Sequence, residues 1–394
     1  MKTDVSEFGS RYRRSWAAVG GALGWILLLG IGAAADSRYP EATWDGYSNG
    51  TVNISVYVFR DINRNGIYDI GDRPMSGILV DGRGNRKTMT KRSNMSGFAN
   101  YAMSASDVTK DITFAGDYEF TVVPPPGWKI TTGNAIQRAR FEILPGSPAD
   151  IVTPVPPNPV GLAPDLSIQG RVPAGPGWVE AIGPDGIETR VRADAEGRFR
   201  FEATPGVWSI MPAGNRSSPR SVVVGDCPVV LPLLGPQTSA PPEATRSRLT
   251  IGFDDLRSTS VFKVPGGYGG LNWDNFVMAH EKVYGVPGYR NNIVSGEFVA
   301  YNGSGHPAAI FSSKSFDFEG GYFGVSNNWA EGETLHIHAF RGAELAYSET
   351  IRLSAFGPVY FAADFSEITR LEFRTEHYWQ VTFDELSLGL RGSH

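Results

Sequence analysis

The sequence predicts an all-β chain: tandem β-sandwich modules with a C-terminal jelly-roll domain, preceded by an N-terminal signal helix. Three observations predict this class. Short runs rich in Val, Ile, Phe, Tyr and Trp alternate with polar residues, which is the period of a half-buried strand. Gly 47 and Pro 27 in 394 residues, with aromatics at 12%, suit many short strands and turns better than long helices. Two proline-rich stretches, Leu144 to Pro159 and Gly235 to Ala244, interrupt the pattern, and proline runs cannot pair in a sheet.

The first 35 residues read as a targeting segment. Arg11, Arg13 and Arg14 precede an uncharged run from Trp16 to Ala35, centred on Trp25-Ile26-Leu27-Leu28-Leu29. Ala33-Ala34-Ala35 then supplies the small residues of a cleavage site before Asp36. The expectation is a cleaved signal peptide. An uncleaved anchor is the alternative, since roughly 20 apolar residues span a bilayer; a membrane partner is expected only through this segment. Arg13-Arg14 also resembles a twin-arginine signal, with an ordinary basic leader preferred. No C-terminal anchoring tail is expected from Leu386 to His394. The net charge of −5, without a recurring basic patch, argues against a nucleic-acid partner. The single cysteine, Cys227, allows no internal disulfide, and in its strand-like setting it reads as a small inert apolar residue.

The breaks divide the remainder into modules of roughly 110, 70 and 145 residues, ordinary domain sizes. They are expected at 36–150, 165–234 and 249–391, joined by proline-rich linkers at 151–164 and 235–248. The first module begins with the strand Val52 to Phe59 and continues into Asp61-Ile62-Asn63-Arg64-Asn65-Gly66-Ile67-Tyr68-Asp69-Ile70-Gly71-Asp72. Oxygen side chains at loop positions 1, 3, 5, 9 and 12, with Gly at 6, follow the ligand plan of an EF-hand-type calcium loop. Calcium takes roughly 6–8 hard oxygen ligands, and alternate side chains of one tight turn can converge on it. The expected ligands are Asp61, Asn63, Asn65, the backbone carbonyl of Ile67, Asp69 and Asp72. Asp72 is shorter than the usual bidentate Glu, which points to weak affinity suited to extracellular calcium. An Asn/Gly-rich turn without metal is the competing reading. With strands on both sides, the metal would stiffen a module and not open a helix pair.

Beyond the loop come Gly77-Ile78-Leu79-Val80, Gly97-Phe98-Ala99-Asn100-Tyr101, Gly116-Asp117-Tyr118-Glu119-Phe120-Thr121-Val122 and Pro125-Pro126-Gly127-Trp128. This order, with the calcium loop, resembles the B-type repeat of serine-aspartate-repeat (SdrD-like) surface proteins across nearly the whole module. The resemblance implies a calcium-stiffened sandwich that projects an adhesive domain, although the chain carries no serine-aspartate tract.

The second module orders Leu166 to Val172, Trp178 to Ile182, Asp194-Ala195-Glu196-Gly197-Arg198-Phe199-Arg200-Phe201 and Pro205-Gly206-Val207-Trp208-Ser209-Ile210. Short alternating strands between Gly turns point to a sandwich. The order resembles the carboxypeptidase regulatory-like (transthyretin-like) domain, which implies a non-catalytic spacer. Asp194 and Glu196 read as a solvated hairpin tip.

The third module opens on Leu249 to Leu256 and closes on Val381 to Leu386, both apolar–acidic. First and last strands often lie side by side in a jelly roll. Carboxylates from both would repel without a cation between them. Asp254, Asp255 and Asp384 are therefore candidates for a second calcium, against separate exposure to solvent. The stretch from Tyr268 through Asn302 to Phe323, rich in aromatics and Asn on Gly-rich loops, resembles a C-terminal module of exported bacterial proteins, some of which carry PEP-CTERM sorting tails. Rings that stack on sugars and amides that reach hydroxyls make glycan binding a candidate use, with core packing as the alternative.

Nothing in the motifs points to catalysis. His336 and His338 share one face of a strand, without an identifiable third metal ligand. Asp317, Glu319, Glu331 and Glu333 could form a glycosidase pair only if the fold set them opposite each other. The expectation is a non-enzyme, an exported calcium-stabilised modular protein of the cell surface or medium. Two sandwiches would present a jelly roll that binds a glycan or a cell-surface protein. A polysaccharide-active enzyme and a purely structural envelope protein are the alternatives.

Overall fold

In the computed structural model the described residues are 52–84, 86–103, 108–141, 158–173, 177–214, 219–234, 246–256 and 260–391. The expected signal segment, half of the first linker and the greater part of the second lie outside them. Among the described residues, no helix is long and apolar enough to cross a membrane.

The first sandwich contains β1 (Val52–Arg60), β2 (Arg73–Pro74), β3 (Leu79–Gly84), β4 (Thr88–Arg92), β5 (Phe98–Met103), β6 (Gly116–Val123), β7 (Trp128–Ile130), β8 (Ile136–Phe141) and β9 (Val160–Pro164). One sheet runs β2-β1-β9-β7 with β5 also on β1, and the other runs β4-β3-β6-β8. β1 is apolar on both faces because both are covered. Val56 and Val58 enter the core beside Tyr101 and Phe120, while Tyr57 and Phe59 pack with Phe98 and Tyr68. The strand β9 falls within the segment expected to be a linker: Val160 to Leu162 pair in parallel with Val58 to Arg60. Its run Val-Gly-Leu-Ala between prolines can enter a sheet because the prolines sit at the strand ends, where no ladder hydrogen bond is lost.

The second sandwich contains β10 (Ser167–Arg171), β11 (Trp178–Ile182), β12 (Glu188–Arg192), β13 (Arg198–Glu202), β14 (Gly206–Pro212), β15 (Arg220–Val224) and β16 (Val229–Val230). β12-β11-β14-β15 form one sheet, and β13-β10-β16 continue into the third module. The hairpin tip at Asp194 and Glu196 is solvated as expected, with Arg198 ion-paired to both at 2.8 and 3.0 Å.

The jelly roll contains β17 (Arg246–Ile251), β18 (Phe262–Lys263), β19 (Asn272–Asp274), β20 (Phe276–His280), the short helix α1 (Pro287–Asn291), β21 (Phe298–Asn302), β22 (Ala308–Val325), β23 (Thr334–Arg341), β24 (Glu344–Arg352), β25 (Val359–Phe361), β26 (Phe365–Thr375) and β27 (Val381–Arg391). The first and last strands are antiparallel partners, Ile251 opposite Leu386. The 18-residue β22 serves both sheets. Its first half pairs with β19 and β26, and its second half with β25 and β27 after register shifts around Phe316 to Tyr322. Such shifts bend a long strand around a barrel-like core, here built from Phe276, Phe316, Phe318, Phe323, Phe373 and Phe383.

The modules are not beads on a string. Val229 and Val230 of β16 pair in parallel with Tyr360 and Phe361 of β25, so one sheet crosses from the second module into the third. Phe356 of the jelly roll is buried in the first sandwich's core, and Tyr360 packs on the second's. Arg60 pairs with Asp226 at 2.6 Å and Arg171 with Glu349 at 2.9 Å. Asn291 bridges the first and third modules. Its Oδ1 accepts from the Ser76 N–H at 3.0 Å, and its Nδ2 donates to the carbonyls of Ser76 at 2.9 Å and Ala355 at 3.0 Å. Ser37–His394 accordingly form one compact unit.

Candidate functional site

The loop from Asp61 to Asp72 is closed at its base by the two-residue pairing of β1 with β2, Arg60 opposite Arg73. Tyr68 pins its far side, with its ring edge-on to Tyr57 at 5.2 Å and to Phe59 at 5.1 Å. Arg64 (φ 62) and Gly66 (φ 73) take the left-handed turn that winds the loop. A Cβ on Gly66 would stand 3.0 Å from the Thr131 carbonyl oxygen, so this position suits glycine twice over.

Asp61 is 1% exposed. Its carboxylate accepts from the backbone N–H groups of Asn65 at 3.2 Å and Gly66 at 2.8 Å. Asp72 accepts from the N–H groups of Ile62 at 2.9 Å and Asp69 at 3.1 Å. The carboxylate of Asp69 accepts from the side-chain amides of Asn63 at 3.0 Å and Asn65 at 2.7 Å. These amide N–H dipoles offer partial positive charge to a turn lined by three carboxylates. Burial, and then the charges of Asp61 and Asp69, push the Asp72 carboxyl above the usual range. Among the described residues no three His, Cys, Asp or Glu side chains are gathered into a closed metal cage. The donor chemistry nevertheless fits a hard divalent cation, because Asp61, Asn63, Asn65, Asp69 and Asp72 all carry oxygen, and the one cationic side chain of the turn, Arg64, donates to the Pro164 carbonyl at 2.6 Å.

The second acidic set is not brought together. Asp255 turns to the Tyr268 hydroxyl, which donates at 2.5 Å. Asp254 accepts from the N–H groups of Glu297 at 2.8 Å and Phe298 at 3.3 Å. Asp384 accepts from those of Val294 at 2.7 Å, Ser295 at 3.2 Å and Glu385 at 2.8 Å. The first and last strands do lie side by side, but backbone amides of the Asn292–Phe298 loop satisfy Asp254 and Asp384 where a cation was expected. Burial raises the Asp384 carboxyl to about 7.

The carboxylates weighed for catalysis have structural partners. Asp317 accepts from the Glu367 N–H at 2.8 Å, and Glu319 pairs with Arg248 at 3.2 Å. Glu331 accepts from the Ala355 N–H at 2.7 Å, and Glu333 from the His377 N–H at 3.1 Å. The aromatics of the Tyr268–Tyr301 stretch are mainly core: Phe276 and Tyr301 are buried, and Trp273 packs edge-on against Phe276 at 4.9 Å.

The exposed rings lie elsewhere. Trp329 is 81% exposed, Tyr378 62% and Trp379 37%, all on loops at one end of the jelly roll. Asn327 caps the turn that carries Trp329, accepting from its N–H at 3.0 Å. The Ser326 N–H donates to the Gln380 carbonyl at 2.9 Å, and His377 Nδ1 lies 3.0 Å from Glu333, tying the two loops together. A third loop joins them, with the His306 ring 6.2 Å from that of Tyr378. The sequence signal was present in Asn327-Asn328-Trp329 and His377-Tyr378-Trp379, large rings inside polar turns, where no strand alternation requires them.

The chain matches no family model, and no curated protein matches it. Among solved structures it is similar to the TIE protein of Bacillus anthracis, at 7% identity and TM-score 0.22, covering 87% of this chain and 49% of that one. It thus spans about half the length of that protein. The shaft pilin SpaA of Lactobacillus rhamnosus GG matches at 12% identity and TM-score 0.21, over 46% of this chain and 96% of the pilin. The major pilin of Streptococcus pyogenes matches at 9% identity and TM-score 0.20, over 80% and 98%. At these TM-scores the neighbours do not bear on what the chain does.

Proposed function

We propose that this is an exported, extracellular or cell-surface binding protein whose jelly roll takes a glycan at the loop end bearing Trp329, Tyr378 and Trp379. The observation that carries the reading is that cluster. Rings left in water on interlinked loops forgo the stabilisation that burial gives, and sugar C–H faces are what such rings stack on. The basic and apolar N-terminal segment supports export. Binding without turnover is favoured because the candidate catalytic carboxylates are each engaged by structural partners.

Calcium is the proposed ligand of the Asp61–Asp72 loop, held by Asp61, Asn63, Asn65, Ile67, Asp69 and Asp72. Bound there, it would supply the positive charge that the three carboxylates share. The loop residues already wind the turn and anchor it through Tyr68, so the ion would stiffen the base from which β1 and β2 leave. Chelation with EDTA is expected to lower the melting temperature of the chain, and Asp61→Ala to remove the difference. An identical melting curve with and without chelator takes calcium out of the account.

Glycan-array binding run beside a reducing-sugar assay tests the main reading. Trp329→Ala with Tyr378→Ala is expected to weaken binding about tenfold or more, the equivalent of about 1.4 kcal/mol. Binding indifferent to both changes, or sugar release abolished by Glu331→Gln, would sink it.

A further inference from the structure

The outer face of β23 runs down from this loop end, flanked by β24 on one side and β26 on the other. Leu335, Ile337 and Ala339 point into the core, so Thr334, His336, His338 and Phe340 point out. Opposite them on the same face stand Arg352, paired in register with Thr334, and Arg374, paired with His336. Arg370 follows, its guanidinium 5.7 Å from the Phe311 ring. Glu372 is taken up by Arg370 at 2.5 Å. Neither Arg352 nor Arg374 forms an ion pair among the described residues; the nearby Glu331 is held by Ala355 and Ser354. The His336 and His338 rings lie 6.5 Å apart between these arginines.

We infer that this face reads the charge of the ligand: the glycan is a polyuronate, which lies from the aromatic loops onto the β24-β23-β26 sheet with its carboxylates on Arg352 and Arg374. The inference rests on the glycan reading above and narrows it. The chain as a whole carries a net −5, so two arginines without an ion pair on one open sheet face are a local reversal of charge, although Arg352 lies near enough to Glu331 to oppose the rise that burial gives its carboxyl. Guanidinium forks match carboxylates in bidentate geometry. Strand spacing and rise place the two arginines about 12 Å apart across the face, a separation that a repeating polyanion meets and a single small anion does not. Phe340 and Phe311, both in register with Arg370 further along the face, add ring surface for the sugar bodies where the polymer continues.

The test uses the full chain without added calcium. Its probes are polygalacturonate, the same polymer fully methyl-esterified, and dextran sulfate. The expected result is at least tenfold tighter binding to the acid than to the ester at low salt, a gap that narrows at high salt because screening weakens exposed charge pairs. Arg352→Gln with Arg374→Gln should erase the preference and leave ester binding in place, while Trp329→Ala should weaken both. Equal affinity for acid and ester, or a preference that survives the arginine changes, overturns the inference and leaves the glycan reading standing. Tight binding to dextran sulfate that ignores Trp329 overturns it as plain ion exchange. Binding to neither polymer, together with a silent glycan array, removes both.

Discussion

Asn291→Ala should uncouple the first sandwich from the jelly roll. The side chain is 6% exposed and joins the two through three hydrogen bonds of 2.9 to 3.0 Å to Ser76 and Ala355. Truncation leaves one buried donor and two buried acceptors without partners. At about 1–3 kcal/mol for each unsatisfied group, with some recovered by water entering the gap, a loss of about 3–6 kcal/mol is expected. The neighbouring contacts are too few to absorb it: Gly77 against Pro287, Phe356 in the first core, and Arg73 donating to the Ile293 carbonyl at 3.1 Å. Scanning calorimetry of the full chain should show the first sandwich melting separately and earlier, with intrinsic fluorescence of Trp128, which lies against Gly357 at this boundary, following the earlier step. A single transition at an unchanged temperature would refute the claim that these bonds hold the modules together.

Gly305 has φ +72, and a Cβ there would stand 1.6 Å from the Tyr378 carbonyl oxygen, so Gly305→Ala should displace the Tyr378 loop and weaken glycan binding; an unaltered affinity would separate that loop from the site. Asp384, 1% exposed and with its carboxyl raised to about 7 by burial, holds its proton more tightly folded than unfolded. Its contribution is therefore fully present below about pH 4 and lost as pH rises through about 7, on the order of 4 kcal/mol across that window; urea midpoints of wild type and Asp384→Asn should diverge there, and parallel curves would refute it. Burial pushes the Cys227 thiol up to about 12, so a thiol reagent should label the native chain negligibly and the denatured chain once; rapid native labelling would contradict the packing around β16.

Much of the strand content was legible because alternation is local. Val56 and Val58 against Tyr57 and Phe59, or Phe199 and Phe201 against their charged neighbours, declare a strand whatever lies around them. The tight winding of the Asp61–Asp72 turn was legible for the same reason, since its side chains act within one turn. Asp254, Asp255 and Asp384 misled because sequence shows which strands meet and not which donors arrive with them; the Asn292–Phe298 loop supplies backbone amides to Asp254 and Asp384, and Tyr268 its hydroxyl to Asp255. The linker boundary misled at Val160 to Pro164, where two prolines mark strand ends and the four residues between them are free to pair. Exposed Trp329, Tyr378 and Trp379 were passed over for the buried aromatics of Tyr268 to Tyr301, because composition alone does not tell a core ring from a surface ring.

The sequence by itself determined the all-β class, the position of the acidic Asp61–Asp72 turn and the order of the sandwiches and jelly roll, since each depends on residues within a few positions of one another. Only the tertiary structure decided that the modules share sheets and cores, that Asp254 and Asp384 are satisfied by backbone, and that the exposed Trp329, Tyr378 and Trp379 rings stand on interlinked loops of the jelly roll. Those outcomes depend on contacts such as Val229 with Tyr360 and Ser76 with Asn291, between residues more than a hundred positions apart, and local pattern carries no information about which distant surface will cover a given face.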